Sequence, residues 1–361
     1  MKGLRITAGG LFRTAMRSGI ASDEAWTCKQ PFQATIQGQR ESWSSGSAGT
    51  FEMSVRVRAI CNWTDSASLN RRIMEQSLWT ESDGIEFVDD DCYDWLVIFN
   101  AKKKVKPRVP KQRVIGFIQE PPDHTFYDRK IGTYCSVVYT CADPSTYSIR
   151  GKLIGFPCGM FYHMPGPLTD YLQDSLIDQK RKELSMVTSS NAYGFNLNRV
   201  QLARELVRQE SGDVFGRGLD VGHGELANKA DGLLPYHYSV CMENGLWKGY
   251  ISDKIIGTIL CRTIPLYVGA PDVLEFIPFA LPLKHYQEPA KAKDEIDGII
   301  ASTSPQKVVE QMNAWARKYA DEYTVYSKIK HIVRNQPVQP QRRARLFAIA
   351  KAGLRKVLAR S

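Results

Sequence analysis

The sequence has no run of roughly 18 apolar residues, the length a bilayer-spanning helix needs, and its best strand-like run, Trp95 to Phe99, stops after five. It is not expected to span a membrane. The first residues lack the unbroken apolar core of a secretory leader, because Arg5 and Arg13 interrupt it. A cytoplasmic setting is therefore expected. The eight cysteines (28, 61, 92, 135, 141, 158, 241, 261) include no CxxC pair, and several sit inside apolar runs where a thiol behaves as a small hydrophobe. Neither a zinc site nor a disulfide framework is suggested. No GxGxxG follows the opening strand of either half, which removes the main support for a dinucleotide oxidoreductase.

What is present is a globular composition. Hydrophobic residues make up 43%, charged residues 24%, and 361 residues suffice for two domains with separate cores. The charge is uneven: 48 basic against 38 acidic side chains give +10, and residues 341–361 hold seven basic residues and no acid, leaving +3 for the rest. A second basic cluster, Lys102 to Arg113, lies between strand-like runs and reads as a solvated loop, so no nucleic-acid partner is expected.

Residues 1–52 are rich in Ser, Gly, Thr and Gln without a period of 2 or 3.6, and are expected to be a disordered extension, with Met53 a second candidate start. From Met53 the pattern alternates. Val55, Val57 and Ala59 alternate with Arg56 and Arg58 as a strand; a helix is predicted through Leu69, Ile73 and Leu78; strands follow at 85–88, 95–99, 114–118, 136–140 and 153–156. Residues 53–165 read as one Rossmann-like domain, the polar stretch 166–183 as a linker, and 184–335 as a second such domain. In an open α/β sheet ligands bind beyond the carboxyl ends of the strands, so the chemistry is expected in a cleft between the two.

The most informative segment is Tyr238 to Val273. Ser252 is a good N-cap, Asp253 and Lys254 fall in the first helical turn, and Ile255, Ile256, Ile259 and Leu260 supply a buried face. A helix start exposes backbone N–H groups, so Lys254 there is placed to hold a diphosphate, and Asp253 to accept ribose hydroxyls. Ile264 to Val268 reads as the next strand. Asp89-Asp90-Asp91 contains a DxD, an acidic pair that elsewhere holds a metal on a diphosphate, but it precedes a strand in the opposite domain and reads as a turn. No metal is expected to be essential.

Met242-Glu243-Asn244, Tyr250-Ile251-Ser252-Asp253-Lys254 and Ile264-Pro265-Leu266-Tyr267-Val268-Gly269-Ala270 stand in an order and spacing that resembles the donor-binding signature of the α1,3/α1,4-fucosyltransferases, glycosyltransferase family 10. Upstream, Ser189-Ser190-Asn191 and Arg199 resemble that family's Ser-Asn loop and the helix-borne arginine that meets the donor phosphates, and Asp213 to Arg217 its strand-Gly turn. Phe117 to His124, with Glu120-Pro121-Pro122 at its centre, resembles the Glu-Ser-Pro motif that carries the catalytic base. Met242, Ser252 and Asp253 depart from the usual aromatic, Thr and Glu, and Pro121 from the usual Ser.

The resemblance implies an α/β fold of the GT-B type, two facing Rossmann-like domains with an interdomain cleft, and inverting transfer of fucose from GDP-fucose to a glycan hydroxyl. It implies Glu120 as base and Ser190, Asn191, Arg199, Glu243, Asn244, Tyr250, Asp253 and Lys254 around the donor. A sugar hydroxyl is a poor nucleophile at neutral pH, so a carboxylate at a strand end suits the base, and fixed cations suit the departing phosphate. Two rivals stand beside it: the same fold using another nucleotide sugar, and a non-catalytic glycan- or nucleic-acid-binding protein. In the tail, Leu346, Phe347, Ile349, Ala350, Leu354, Val357 and Leu358 gather on one helical face with Arg and Lys opposite, which suggests a peripheral helix on an anionic membrane surface. The acceptor is then a surface polysaccharide or lipid-linked oligosaccharide.

Overall fold

The computed structural model describes residues 54–335 except 101–104, 124–126 and 192–193. The expectations for residues 1–52 and for the tail 341–361 lie outside the described residues, as does His124 at the end of the Phe117–His124 motif. Both sheets belong to one compact unit.

The first layer alternates strand and helix: β1 (Val55–Ile60), α1 (Ser66–Glu75), β2 (Ile85–Val88), β3 (Trp95–Phe99), β4 (Val114–Ile118), the single turn α2 (Ile131–Tyr134), β5 (Val137–Thr140) and β6 (Leu153–Gly155). All pair in parallel, in the order β2-β1-β3-β4-β5-β6. Every residue of β3 and β4 is buried, as parallel strands covered on both faces require. The two-residue alternation sorts them: Trp95, Val97 and Phe99 join α1's Leu69 and Ile73 on one face, Leu96 and Ile98 join Ile131 on the other. Asp65 caps α1, its carboxylate accepting from Ser68 N at 2.8 Å.

The second layer repeats this order. It comprises β7 (Lys182–Ser189), α3 (Asn196–Arg208), β8 (Asp213–Arg217), β9 (Tyr236–Met242), α4 (Asp253–Leu260), β10 (Ile264–Val268), the short α5 (Val273–Phe276) and β11 (Leu281–Pro282). They pair in parallel as β11-β10-β9-β7-β8. Read from the other edge, this is the first sheet's arrangement: the second strand lies outside the first, and the third lies on the first strand's other side. Each sheet therefore has a point where chain direction across the sheet reverses, between β1 and β3 and between β7 and β9, and there the loops diverge to leave a crevice.

The expected domain limits need two corrections. Residues 166–183 are not a free linker: two short 3-10 segments turn their apolar side chains inward, so that Leu168 and Tyr171 join the second layer's core, Leu172 and Ile177 pack against it, and Leu176 is buried. At the far end, α6 (Pro289–Ser302) and α7 (Pro305–Lys318) contribute to the second core, but α8 (Val325–Asn335) returns to the first. Its Val325, Tyr326, Ile329, Ile332 and Val333 share a cluster with Val57, Leu69 and Trp95, so the second domain does not run to 335. The crossing is made by a π-helical turn at Tyr319–Tyr323, where Trp315 stacks on Tyr319 and Tyr323.

Candidate active site

The carboxyl ends of β1, β3 and β4 in the first sheet face those of β9 in the second across a cavity of about 620 Å³. Asn62 and Trp63 follow β1, Asn100 follows β3, Gln119 and Glu120 follow β4, and Asn244, Tyr250, Asp253 and Lys254 come from the second domain. The site thus sits at the reversal point of each sheet.

Glu120 enters through a pinned loop. Asn100 ends β3 in the left-handed region at φ 48°, which Asn tolerates better than most residues, and its Oδ1 accepts from Gln119 N at 2.8 Å. On the other side Tyr147 Oη donates to the Glu120 carbonyl at 2.8 Å. The residue that presents the carboxylate is therefore held through its own carbonyl and through the N–H of the residue before it.

Across the cleft, α4 begins at Asp253, as the Ser252 cap predicts, with Ser252 Oγ accepting from Lys254 N at 3.3 Å. The cap is itself held from behind by Glu243, which is fully buried. Its carboxylate accepts from Ser252 N at 2.9 Å and from Ser252 Oγ, and lies 3.5 Å from Lys254 Nζ. Glu243 does not line the cavity; it orders the residues that do. Arg199 is likewise buried behind the wall, its Nη1 donating to Asn244 Oδ1 at 2.9 Å, while its buried Nε has no partner among the described residues. Burial lowers its pKa and Glu243 opposes that effect. An arginine with unused donors behind a cleft wall suits an incoming anion.

Asp253 lines the cavity with Lys229 Nζ at 2.9 Å. Burial raises its pKa, but Lys229, Lys254 and His163 outweigh burial and hold it below the usual carboxylate range. Tyr250 is almost completely buried, packed with first-domain residues such as Ile118 and Tyr147, and burial drives its pKa well above the ordinary phenol value. It joins the two walls as a neutral hydroxyl. Ser190 and Asn191 follow β7 at the reversal point but do not line this cavity; Ser190 N donates to Arg217 O at 3.0 Å. Gly218, at φ +70°, leaves room for Ser190, since a Cβ there would come within 2.7 Å of Ser190 Oγ. The structure thus brings together Glu120, Asn244, Tyr250, Asp253 and Lys254, places Glu243 and Arg199 behind them, and leaves Ser190 and Asn191 outside the cavity wall.

Arg72, His163, Lys229, Asn100 and Trp63 were not anticipated. Asn62-Trp63 and Asn100 had a readable signal, a polar or aromatic residue just past an apolar strand; Arg72 and Lys229 had none, since their place depends on how the two layers meet. Of the DxD pair, Asp91 is ion-paired to Arg58 and Arg108 at 2.5 and 2.7 Å, and the intervening Asp90 to Arg56 at 3.0 Å.

Two Rossmann-like domains opposed across a cleft, with polar residues gathered at both reversal points, define an α/β protein of GT-B type; the strand orders carry that assignment. No protein-family model matches the chain. A stretch of 46 residues, 13% of this chain, is 41% identical to an α-(1,3)-fucosyltransferase FucT of Helicobacter pylori and spans about a tenth of that protein's length. Among solved structures the chain is similar to an α1,3-fucosyltransferase with GDP-fucose, at TM-score 0.44 and 14% identity over 75% of this chain and 84% of that one. It is also similar to an α-glucosyltransferase in complex with UDP and DNA, at TM-score 0.48 and 9% identity over 78% and 100% of the two chains.

Proposed function

We propose that this protein is an inverting glycosyltransferase that moves fucose from GDP-fucose to a glycan hydroxyl. The observation that carries the reading is the single cleft in which Glu120 of one domain faces Asn244, Tyr250, Asp253 and Lys254 of the other. The local identity to the Helicobacter fucosyltransferase favours fucose among the nucleotide-linked sugars.

In this reading the acceptor hydroxyl gives its proton to the Glu120 carboxylate as its oxygen bonds to the sugar's anomeric carbon. The bond from that carbon to the β-phosphate breaks on the opposite face, and its electron pair leaves with GDP. Lys254, at the amino end of α4, meets the growing phosphate charge, and Arg199 adds its unused donors from behind Asn244. Asp253, held ionised by Lys229, is suited to ribose hydroxyls.

Release of nucleoside diphosphate from GDP-fucose, GDP-mannose and UDP-sugars, assayed in parallel with a pool of glycan acceptors, tests the reading. Acceptor-dependent release confined to GDP-fucose is expected. Release from another sugar nucleotide overturns the donor assignment, and release from none overturns the transferase.

The basic tail belongs to the same proposal as a peripheral anchor on the cytoplasmic side of an anionic membrane. Near such a surface each Lys or Arg contributes about 1 kcal/mol. Full-length protein should co-sediment with anionic liposomes at low salt, and a chain ended at Pro340 should not; equal sedimentation of both removes the anchor.

A further inference from the structure

Arg72 is the cleft cation that this chemistry does not use. Its guanidinium lies 4.8 Å from the centre of the Phe161 ring, its Nη2 donates to Tyr162 O at 3.0 Å and lies 3.4 Å from His163 Nδ1. Among the described residues no carboxylate comes within ion-pair distance of it. Burial works against its charge, and Asp253 works for it. A half-buried guanidinium with no ion pair of its own keeps its charge available to an incoming anion.

Arg72 and His163 also form the wall shared with a second cavity, of about 530 Å³. That groove runs between one face of α1 and the second-domain segment 227–229. Residues 68, 71, 72, 75 and 76 fall three and four apart and so line it together. Lys229 is already paired with Asp253. Glu75 offsets one of the two arginine charges, and the groove stays positive.

We propose that this groove receives the acceptor, and that the acceptor carries an acidic group, a carboxylate or a phosphate, gripped by Arg72. The inference rests on the transferase reading and deepens it. A saccharide lying along α1 passes Arg72 before reaching the cavity that holds Glu120, while Lys254 and Asn244 stand on the opposite wall. The planar guanidinium matches the two oxygens of either anion, which a neutral sugar does not offer.

The test uses the full chain on an array of neutral, uronate-bearing and phosphate-bearing oligosaccharides of equal length, with GDP calorimetry beside it. Binding to acid-bearing glycans is expected to exceed neutral binding at least about tenfold, the gain of one charge-assisted contact. The better-bound acid identifies the group. Arg72→Gln should erase the preference and Arg72→Lys keep part of it, with GDP affinity unchanged; Arg71→Gln, at the exposed end of the same face, should reduce it if Arg72→Gln does not fold. No preference in the wild type, or loss of GDP affinity in Arg72→Gln, overturns the proposal. Acid-selective, Arg72-dependent glycan binding without any GDP binding would instead sink the transferase reading and leave the groove standing.

Discussion

Glu120 and Lys254 approach the cleft from opposite domains, and substitution should separate their roles. Glu120→Gln keeps size and shape but cannot take the acceptor's proton, so transfer should fall at least about a hundredfold with GDP affinity and thermal unfolding nearly unchanged. Near-normal transfer by this variant would move the base elsewhere, with Asp123 next. Lys254→Ala and Arg199→Ala should each weaken GDP binding by roughly ten- to a hundredfold, the worth of one charge-assisted contact. Arg199→Ala should also lower the melting temperature, because the buried side chain supports Asn244. Unchanged GDP affinity in both, by calorimetry, would remove the donor site. Glu120 and Lys254 were legible because local rules placed them, one past an apolar strand and the other after an N-cap. Glu243 was legible only as part of a motif. That it works behind the wall follows from complete burial, which no residue-type argument supplies.

The parallel strands themselves were the most readable elements, since continuous apolar runs such as 95–99, 114–118 and 264–268 fit few other structures. Helices α6 and α7 were missed although Pro289 and Pro305 stand at their first positions, where proline is preorganised for a helix start. What no local pattern shows is how neighbouring strands are pinned. At their amino ends Asp213 of β8 accepts from Lys182 Nζ of β7 at 2.7 Å and from Tyr236 Oη of β9 at 2.6 Å, with His223 Nε2 at 2.8 Å. Partial burial raises the Asp213 pKa, but these three partners outweigh it and bring it from 3.8 down to about 2. A carboxylate depressed in the folded state contributes stability above its unfolded pKa and loses it as pH falls through the folded value. Asp213→Asn should therefore cost about 1 kcal/mol at neutral pH, after allowance for solvent screening, and flatten the loss of stability between about pH 4 and 2. Denaturant melts across that range check it; parallel acid limbs for variant and wild type would show that the cluster stores no such energy.

As a whole molecule the protein is two copies of one topology tied together by chain crossings, and the second crossing was invisible to a linear reading. The amphipathic pattern of α8 says that one face is buried but not against which core, because that depends on the π-helical turn at 319–323 sending it back to the first sheet. The consequence is a strap: α7 is anchored in the second core and α8 in the first, with Trp315, Tyr319 and Tyr323 stacked where they join. Ile329 is fully buried in that first-domain cluster. Replacing it with Ala removes apolar contact and leaves a cavity, at a cost of about 2 to 5 kcal/mol. The residues that the proposal places around the nucleotide belong to the second domain, whereas Glu120 comes from the first. Ile329→Ala should therefore lower the melting temperature by several degrees and slow transfer, while GDP affinity below the melting range stays within about twofold of wild type. Scanning calorimetry and GDP titration on the same preparation decide the matter. A fall in GDP affinity as large as the fall in transfer would mean that the strap orders the nucleotide site itself, and that the second domain does not hold its donor alone.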